Sequence, residues 1–248
     1  MSSVWNKIVG QHKAVERLQQ LAINNVHAFL FIGPEGCGKE DAARAFASVL
    51  ITGSDSATSR EADLITRGAF ADVVEVLREG AAVDKDEAEE IIRLASTTPT
   101  ESDVKVVIIH EVHLMRDSAA ARLLKTIEEP SEKVIFILLA DQLVPSLATI
   151  NSRCVVVNFM RLTNDIISET LCNEGVEQGV AIAAANVAAG NLPRARLLAA
   201  DERLAHRQEA FASVPYRLDG AGSTVANIVD ELFDRIDEAS APLLEQHA

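Results

Sequence analysis

The chain has 248 residues, 48% of them hydrophobic, enough for a well-buried core in one large domain or two to three small ones. A formal charge of −14 and a pI near 4.8 exclude nucleic-acid binding by the chain as a whole, because counterion release needs a basic face. Cys37, Cys154 and Cys172 stand far apart with no C-x-x-C pair, which excludes a disulfide framework or a zinc site and fits a reducing cytosol.

In chain order, Val9-Gly10-Gln11 leads into a helical pattern with Ala14, Val15, Leu18, Leu21 and Ala22 on one face. An apolar strand, Ala28 to Ile32, then breaks into the loop GPEGCGKE, Gly33 to Glu40, and into an Ala-rich helix. Strand, glycine loop and helix together form a phosphate cradle. Backbone N–H groups around Gly33, Gly36 and Gly38 face an anion, the helix N-terminus adds attraction, and Lys39 reaches the outer phosphates. The full motif ends in Lys followed by Ser or Thr, whose hydroxyl binds Mg²⁺; here that position is Glu40. The cradle is present and its metal hook is missing.

Residues 52 to 68 are small, polar or charged without clear periodicity and read as a surface loop. Asp72 to Val76 predicts a strand, and Asp84 to Ala95 a helix closed by Thr97-Thr98-Pro99. Val104 to Ile109 and Val134 to Leu139 are near-continuous apolar runs, the pattern of strands buried on both faces of a parallel sheet, with a helix from Ser118 to Glu129 between them. Ser152-Arg153-Cys154 precedes a last strand at Val155 to Val157. This alternation predicts an open parallel α/β sheet with its ligand at the C-terminal strand ends. From about Arg161 only helical patterns follow: Asp165 to Asn173, Val176 to Ala189, a helix entered at Pro193, then Glu202 to Val214 and Thr224 to Leu244. No run is long enough for a bilayer span, and no apolar leader precedes the first helix, so the sequence predicts neither a membrane-spanning nor a secreted protein.

A phosphate-loop ATPase also needs an Asp-Glu pair at the end of a neighbouring strand to hold Mg²⁺ and polarise water. The strand here ends in His110-Glu111. Imidazole is a poor ligand for a hard cation that wants oxygen, so Glu40 and His110 impair the same function. His110-Glu111-Val112-His113 is one residue short of the H-E-x-x-H zinc spacing and sits at a strand end, so zinc is not expected.

The Val9-Gly10-Gln11 start, the His27-to-Lys39 segment, Leu123-Leu124-Lys125-Thr126-Ile127-Glu128-Glu129-Pro130 and Ser152-Arg153-Cys154 resemble the AAA+ clamp-loader subunits of bacterial DNA polymerase III. The altered ATP site is similar to the delta-prime type. The resemblance implies a three-layer α/β AAA+ phosphate-loop domain with a parallel sheet at residues 1–160, a helical lid at 161–204, and the start of a helical collar at 205–248. It implies that Arg153 is an arginine finger reaching a neighbouring subunit's ATP site. The degenerate nucleotide-binding residues would be Gly33, Gly36, Gly38, Lys39, Glu40, His110, Glu111 and Arg194. No cofactor is required, and ATP or ADP would bind weakly.

Several features depart from the family. Its four-cysteine zinc module is absent, its polar first sensor falls near Ala140-Asp141, and its second sensor Arg falls near Pro193, with Arg194 and Arg196 as displaced candidates. The chain stops soon after a collar would begin, which reads as a truncated or naturally shortened form. The implied protein is cytoplasmic and does not hydrolyse ATP by itself. Its implied partners are gamma/tau and delta type subunits in a hetero-pentamer, with the sliding clamp and primed DNA reached through that assembly and no membrane. An active gamma/tau-like ATPase, using Glu40 and Glu111 for metal, and an AAA+ scaffold outside replication are the alternatives.

Overall fold

A computed structural model describes residues 3–201, apart from 25, 79, 81, 84 and 132, and five isolated helical positions beyond residue 201. The expected helices at 202–214 and 224–244, and with them the collar, lie outside the described residues save for those positions.

Five strands form one parallel sheet: β1 (Ala28–Ile32), β2 (Val73–Val76), β3 (Lys105–Ile109), β4 (Val134–Ala140) and β5 (Val155–Asn158), in the order β2-β3-β4-β1-β5. The near-continuous apolar sequences of β1, β3 and β4 follow from burial on both faces. Strand side chains alternate between those faces. Phe29, Phe31, Val106, Ile108, Ile137 and Leu139 enter one core with α1 (His12–Leu21), α2 (Lys39–Thr52) and α3 (Arg60–Thr66). Leu30, Val107, Ile109, Phe136, Leu138 and Ala140 enter the other with α4 (Lys85–Ala95), α5 (Asp117–Glu128) and the short α6 (Ala148–Asn151). The three-layer parallel α/β architecture expected from the sequence is present.

Aromatic contacts tie α2 and the segment past β5 to strand β1. The Phe29 and Phe46 rings meet edge to face at 4.9 Å, and Phe31 packs 5.3 Å from Phe159 just past β5. Each such pair contributes about 0.5–1.5 kcal/mol beyond its area. The expected surface loop at 52–68 is a correction, because α3 forms within it. Ser59 caps the helix by accepting from the Ala62 N–H, and Ala62 and Ile65 are buried. Two apolar contacts and one cap suffice for seven residues.

The chain divides into two compact units, residues 1–166 with 190–192, and residues 167–189 with 193–248. In the second unit, α7 (Asn164–Asn173) and α8 (Gln178–Ala188) bury Ile167, Leu171, Ala181, Ala184 and Ala185. On α9 (Leu192–Ala199), Ala195 is fully buried and Arg196 makes a bidentate ion pair with Glu174, at 2.6 and 3.0 Å. Among the described residues no helix is long and apolar enough to cross a membrane.

Candidate functional site

The order β2-β3-β4-β1-β5 puts β1 between β4 and β5, so the strands reverse direction of progress at β1 and open a crevice at its C-terminal end. The glycine loop fills that point. The Gly33 N–H donates to the Ala140 carbonyl at 3.1 Å, tying the loop to the tip of β4. Gln11, 3% exposed, holds the other side: its amide donates to the carbonyls of Cys37 (3.0 Å) and Met160 (2.6 Å), and its oxygen accepts from the Met160 N–H (3.0 Å). In the sequence this glutamine reads as a helix start and as part of the family resemblance, without a structural role; its three bonds fasten the loop to the end of β5.

Gly36 adopts a left-handed φ of 70°, and a Cβ there would lie 2.2 Å from the Asn191 side chain. Its carbonyl accepts from the Leu192 N–H at 3.1 Å. The glycine is therefore demanded by backbone conformation and by close packing, with or without a ligand. Gly38, at φ 93°, starts α2 with no side-chain cap and open space beside it. The Cys37 thiol is buried beside the loop, and burial pushes its pKa up to about 11, so it stays protonated at neutral pH.

Lys39 points into this crevice with a side chain 3% exposed. Its ammonium lies 2.8 Å from Asp141 Oδ1, 3.0 Å from Glu40 Oε1 and 3.4 Å from the Pro34 carbonyl. Burial opposes the charge, but the Asp141 hydrogen bond and the Glu40 charge outweigh it and raise the lysine's pKa. Asp141 is held in turn by its own N–H, which donates to His113 Nδ1 at 3.2 Å. The sequence places the family's polar first sensor near Ala140-Asp141; of the two, Asp141 is the residue that meets Lys39, 102 positions away in the chain.

At the tip of β3, His110 is 9% exposed, and its Nε2 lies 3.1 Å from Glu75 Oε2 on β2. Glu75 also receives a bidentate pair from Arg44 of α2, at 2.6 and 2.8 Å. Burial alone would raise the Glu75 pKa, but the hydrogen bonds from His110 and Arg44 bring it down to about 2. Glu111 has a left-handed φ of 51° and its carboxylate is paired with Arg78, at 3.2 and 3.4 Å. Glu75, Arg44 and Arg78 were not singled out by the sequence, because a Glu inside a short strand and an Arg on an Ala-rich helix carry no spacing signal. Among the described residues no three His, Cys, Asp or Glu side chains cluster as a metal site requires.

Gly33, Gly36, Gly38, Lys39, Glu40, His110 and Glu111 thus lie in the loop or at the tips of the strands. Arg194 lies on α9 in the second unit. Arg153 stands apart, just past α6 at the entrance to β5, with a side chain 38% exposed. Its Nε pairs with Glu128, and its Nη1 donates to the Thr149 carbonyl (2.9 Å) and Ser152 Oγ (3.0 Å).

Comparison with known proteins places this architecture. The chain is 36% identical over 172 residues to the tau subunit of DNA polymerase III from Bacillus subtilis, an alignment covering 66% of this chain and 30% of that protein. It is 32% identical over 181 residues to the delta' subunit from the same organism, covering 69% and 55%. Against the gamma/tau subunit of Mycobacterium tuberculosis it is 29% identical over 230 residues, covering 88% and 40%. The chain therefore spans well under two thirds of these relatives. Among solved structures, a Thermotoga maritima DNA polymerase III gamma subunit-related protein aligns with a TM-score of 0.54 at 18% identity, over 90% of this chain and 72% of that one. The RuvB Holliday junction branch migration motor of the same organism aligns at 0.51 and 15%, over 92% and 71%. These two share the fold, a phosphate-loop α/β domain of the AAA+ kind. Residues 10–163 match the family described as DNA polymerase III, delta subunit, and the chain belongs to that family of clamp-loader AAA+ subunits.

Proposed function

We propose that this chain is a non-hydrolysing, delta-prime-like subunit of a DNA polymerase III clamp loader, which lends Arg153 to the ATP site of an adjacent gamma/tau-type subunit. One observation carries the reading: the Lys39 ammonium, which should meet a nucleotide's outer phosphates, already sits on two carboxylates of its own chain, Asp141 and Glu40. A γ-phosphate placed on Lys39 would have to displace Asp141 and lie against Glu40. At about 4 Å and an effective dielectric of 20, each carboxylate opposes a phosphate charge by roughly 4 kcal/mol.

The metal has no better footing. Mg²⁺ needs oxygen ligands in octahedral array, and the residues offered are His110, bonded to Glu75, and Glu40, bonded to Lys39. Glu111, which would polarise water, is paired with Arg78. The donor set does not fit a magnesium nucleotide. Arg153 differs in being exposed at the surface of its unit. A planar guanidinium supplied from a neighbour stabilises charge developing on the transferred phosphoryl group. Loading of a sliding clamp on primed DNA would follow from that assembly.

The identity to the tau subunit favours a second reading, an ATPase in its own right. Phosphate release by the isolated protein separates the two. The proposal expects background release; magnesium-dependent turnover abolished by Lys39→Ala overturns it.

A further inference from the structure

We propose that Glu128 is the positioning residue of Arg153, holding its guanidinium so that one nitrogen faces outward for a phosphoryl oxygen of the neighbouring subunit. The inference rests on the reading of Arg153 as a residue supplied in trans. It starts from how the three guanidinium nitrogens are used. Nε is engaged by the Glu128 carboxylate. Nη1 donates to the Thr149 carbonyl at 2.9 Å and to Ser152 Oγ at 3.0 Å. Nη2 makes no hydrogen bond among the described residues. Two nitrogens are tied on different sides, which fixes both the plane of the group and its rotation about the side chain, and the third is left open.

The anchors come from elements that the fold already packs together. Glu128 is the last residue of α5, within the stretch Leu123 to Pro130, and α5 packs against α6. Thr149 lies in α6, a helix of one turn whose final carbonyls have no intrahelical partner. Ser152 Oγ donates to that same Thr149 carbonyl at 2.8 Å and accepts from Arg153. The carbonyl orients the arginine and the arginine caps the helix. Among the described residues Glu128 supplies the only charged anchor, and it approaches from a separate helix, 25 residues earlier in the chain.

Stability does not account for this arrangement. Both side chains are exposed, at 38% and 43%, and exposed pairs contribute little because solvent screens them. Orientation does account for it: a flexible cation that must meet a transition state gains when its planar fork is held beforehand. A phosphate oxygen on Nη2 leaves the Glu128 bond to Nε intact, so donation in trans needs no rearrangement of the anchor.

The test uses the assembly reconstituted with its ATP-hydrolysing neighbour, reading single-turnover hydrolysis at the neighbour's site, ATP affinity there, and composition by gel filtration. Glu128→Ala should lower the rate by about 10²-fold, the scale of a misplacement near 1 Å, with ATP affinity and assembly unchanged. Glu128→Gln keeps an oxygen acceptor and should lose less, which keeps the test sound if the alanine variant assembles poorly. In an Arg153→Ala background, Glu128→Ala should cause no further loss, because the two act as one unit. A Glu128→Ala complex that hydrolyses at the parent rate or faster, while Arg153→Ala is slow, overturns the positioning role and leaves the reading of Arg153 standing. An additive loss in the double variant also overturns it, by placing Glu128 on another path. If Arg153→Ala itself runs at the parent rate, the reading beneath fails and takes the positioning role with it.

Discussion

Two corners of the first unit carry long cationic side chains and treat them in opposite ways. At the strand tips, Lys39 is almost fully buried and is neutralised by Asp141 and Glu40 of the same chain, while Arg44 is committed to Glu75. At the entrance to β5, Arg153 is exposed and, among the described residues, has one charged anchor and keeps one nitrogen unbonded. The difference follows from solvation. A buried charge without a partner costs several kcal/mol, so a lysine buried as Lys39 is needs counterions close by. An exposed charge is stabilised by water and stays available to another molecule.

The largest expected effect lies at the open corner. Arg153→Ala should slow hydrolysis at the neighbouring subunit's site by about 10³–10⁵-fold, the range for an arginine supplied in trans. Arg153→Lys should recover little, because a point charge lacks the planar fork. Single-turnover measurement in the reconstituted assembly keeps other intact sites from masking the loss. A parent-like rate would erase the contrast between the two corners and leave Ser-Arg-Cys as a mark of ancestry.

The closed corner should reveal itself through acid. The Glu75 pKa is depressed to about 2, with burial opposing and the bonds from His110 and Arg44 prevailing; that of Asp72 is depressed to about 2 by bonds from Thr100, Glu101 and Ser102 that overcome its burial. A carboxyl whose folded pKa lies below its unfolded value adds stability that is fully present above the unfolded value and lost as pH falls through the folded one. Both contributions should be intact above about pH 5 and fade between about pH 4 and 2. Glu75→Gln should therefore cost roughly 3 kcal/mol at pH 7 and much less near pH 2, by denaturant unfolding at each pH. An equal deficit at both would mean that the Arg44-Glu75-His110 cluster is held by packing rather than by charge.

The sequence exposes the sheet more fully than the site. Val106 to Ile109 and Val134 to Leu139 are legible because a strand buried on both faces must be apolar throughout, and the glycine loop is legible because its glycines are fixed by local backbone geometry. α3 is hidden because its register rests on Ser59 and two small contacts. The partners of Asp141 and Glu75 are hidden for a different reason. Their roles depend on which strand tips lie side by side, and that order, β2-β3-β4-β1, is a property of the folded sheet. That Glu40 and His110 depart from the motif can be read from the sequence; the ion pairs made by Lys39 and Glu75 beside them cannot.

If the pocket is closed by those counterions, removing them together with the two lesions should reopen it. Asp141→Asn combined with Glu40→Thr and His110→Asp frees the Lys39 ammonium and restores a hydroxyl and a carboxylate for Mg²⁺. The combined variant should bind a fluorescent ATP analogue about tenfold more tightly than Glu40→Thr with His110→Asp alone, or about 1.4 kcal/mol. Equal binding by the two would mean that Asp141 yields readily and that the closed corner is shut elsewhere.

The smallest expected effect sharpens the comparison from the other side. If the Glu128–Arg153 pair serves orientation, its contribution to folding is that of an ordinary exposed pair, within about 1 kcal/mol. Glu128→Gln should leave the denaturation midpoint of the isolated chain nearly unchanged, since both side chains return to water when the bond is broken. Asp141→Asn should cost about 1–3 kcal/mol, because it leaves the buried Lys39 charge with Glu40 as its remaining carboxylate. Measured side by side by denaturant unfolding, the two substitutions remove one carboxylate each from a lysine or arginine, and only burial separates them. Equal losses would show that Arg153 is structurally committed like Lys39, and an arginine so committed is not free to leave its own chain for a neighbour's phosphate.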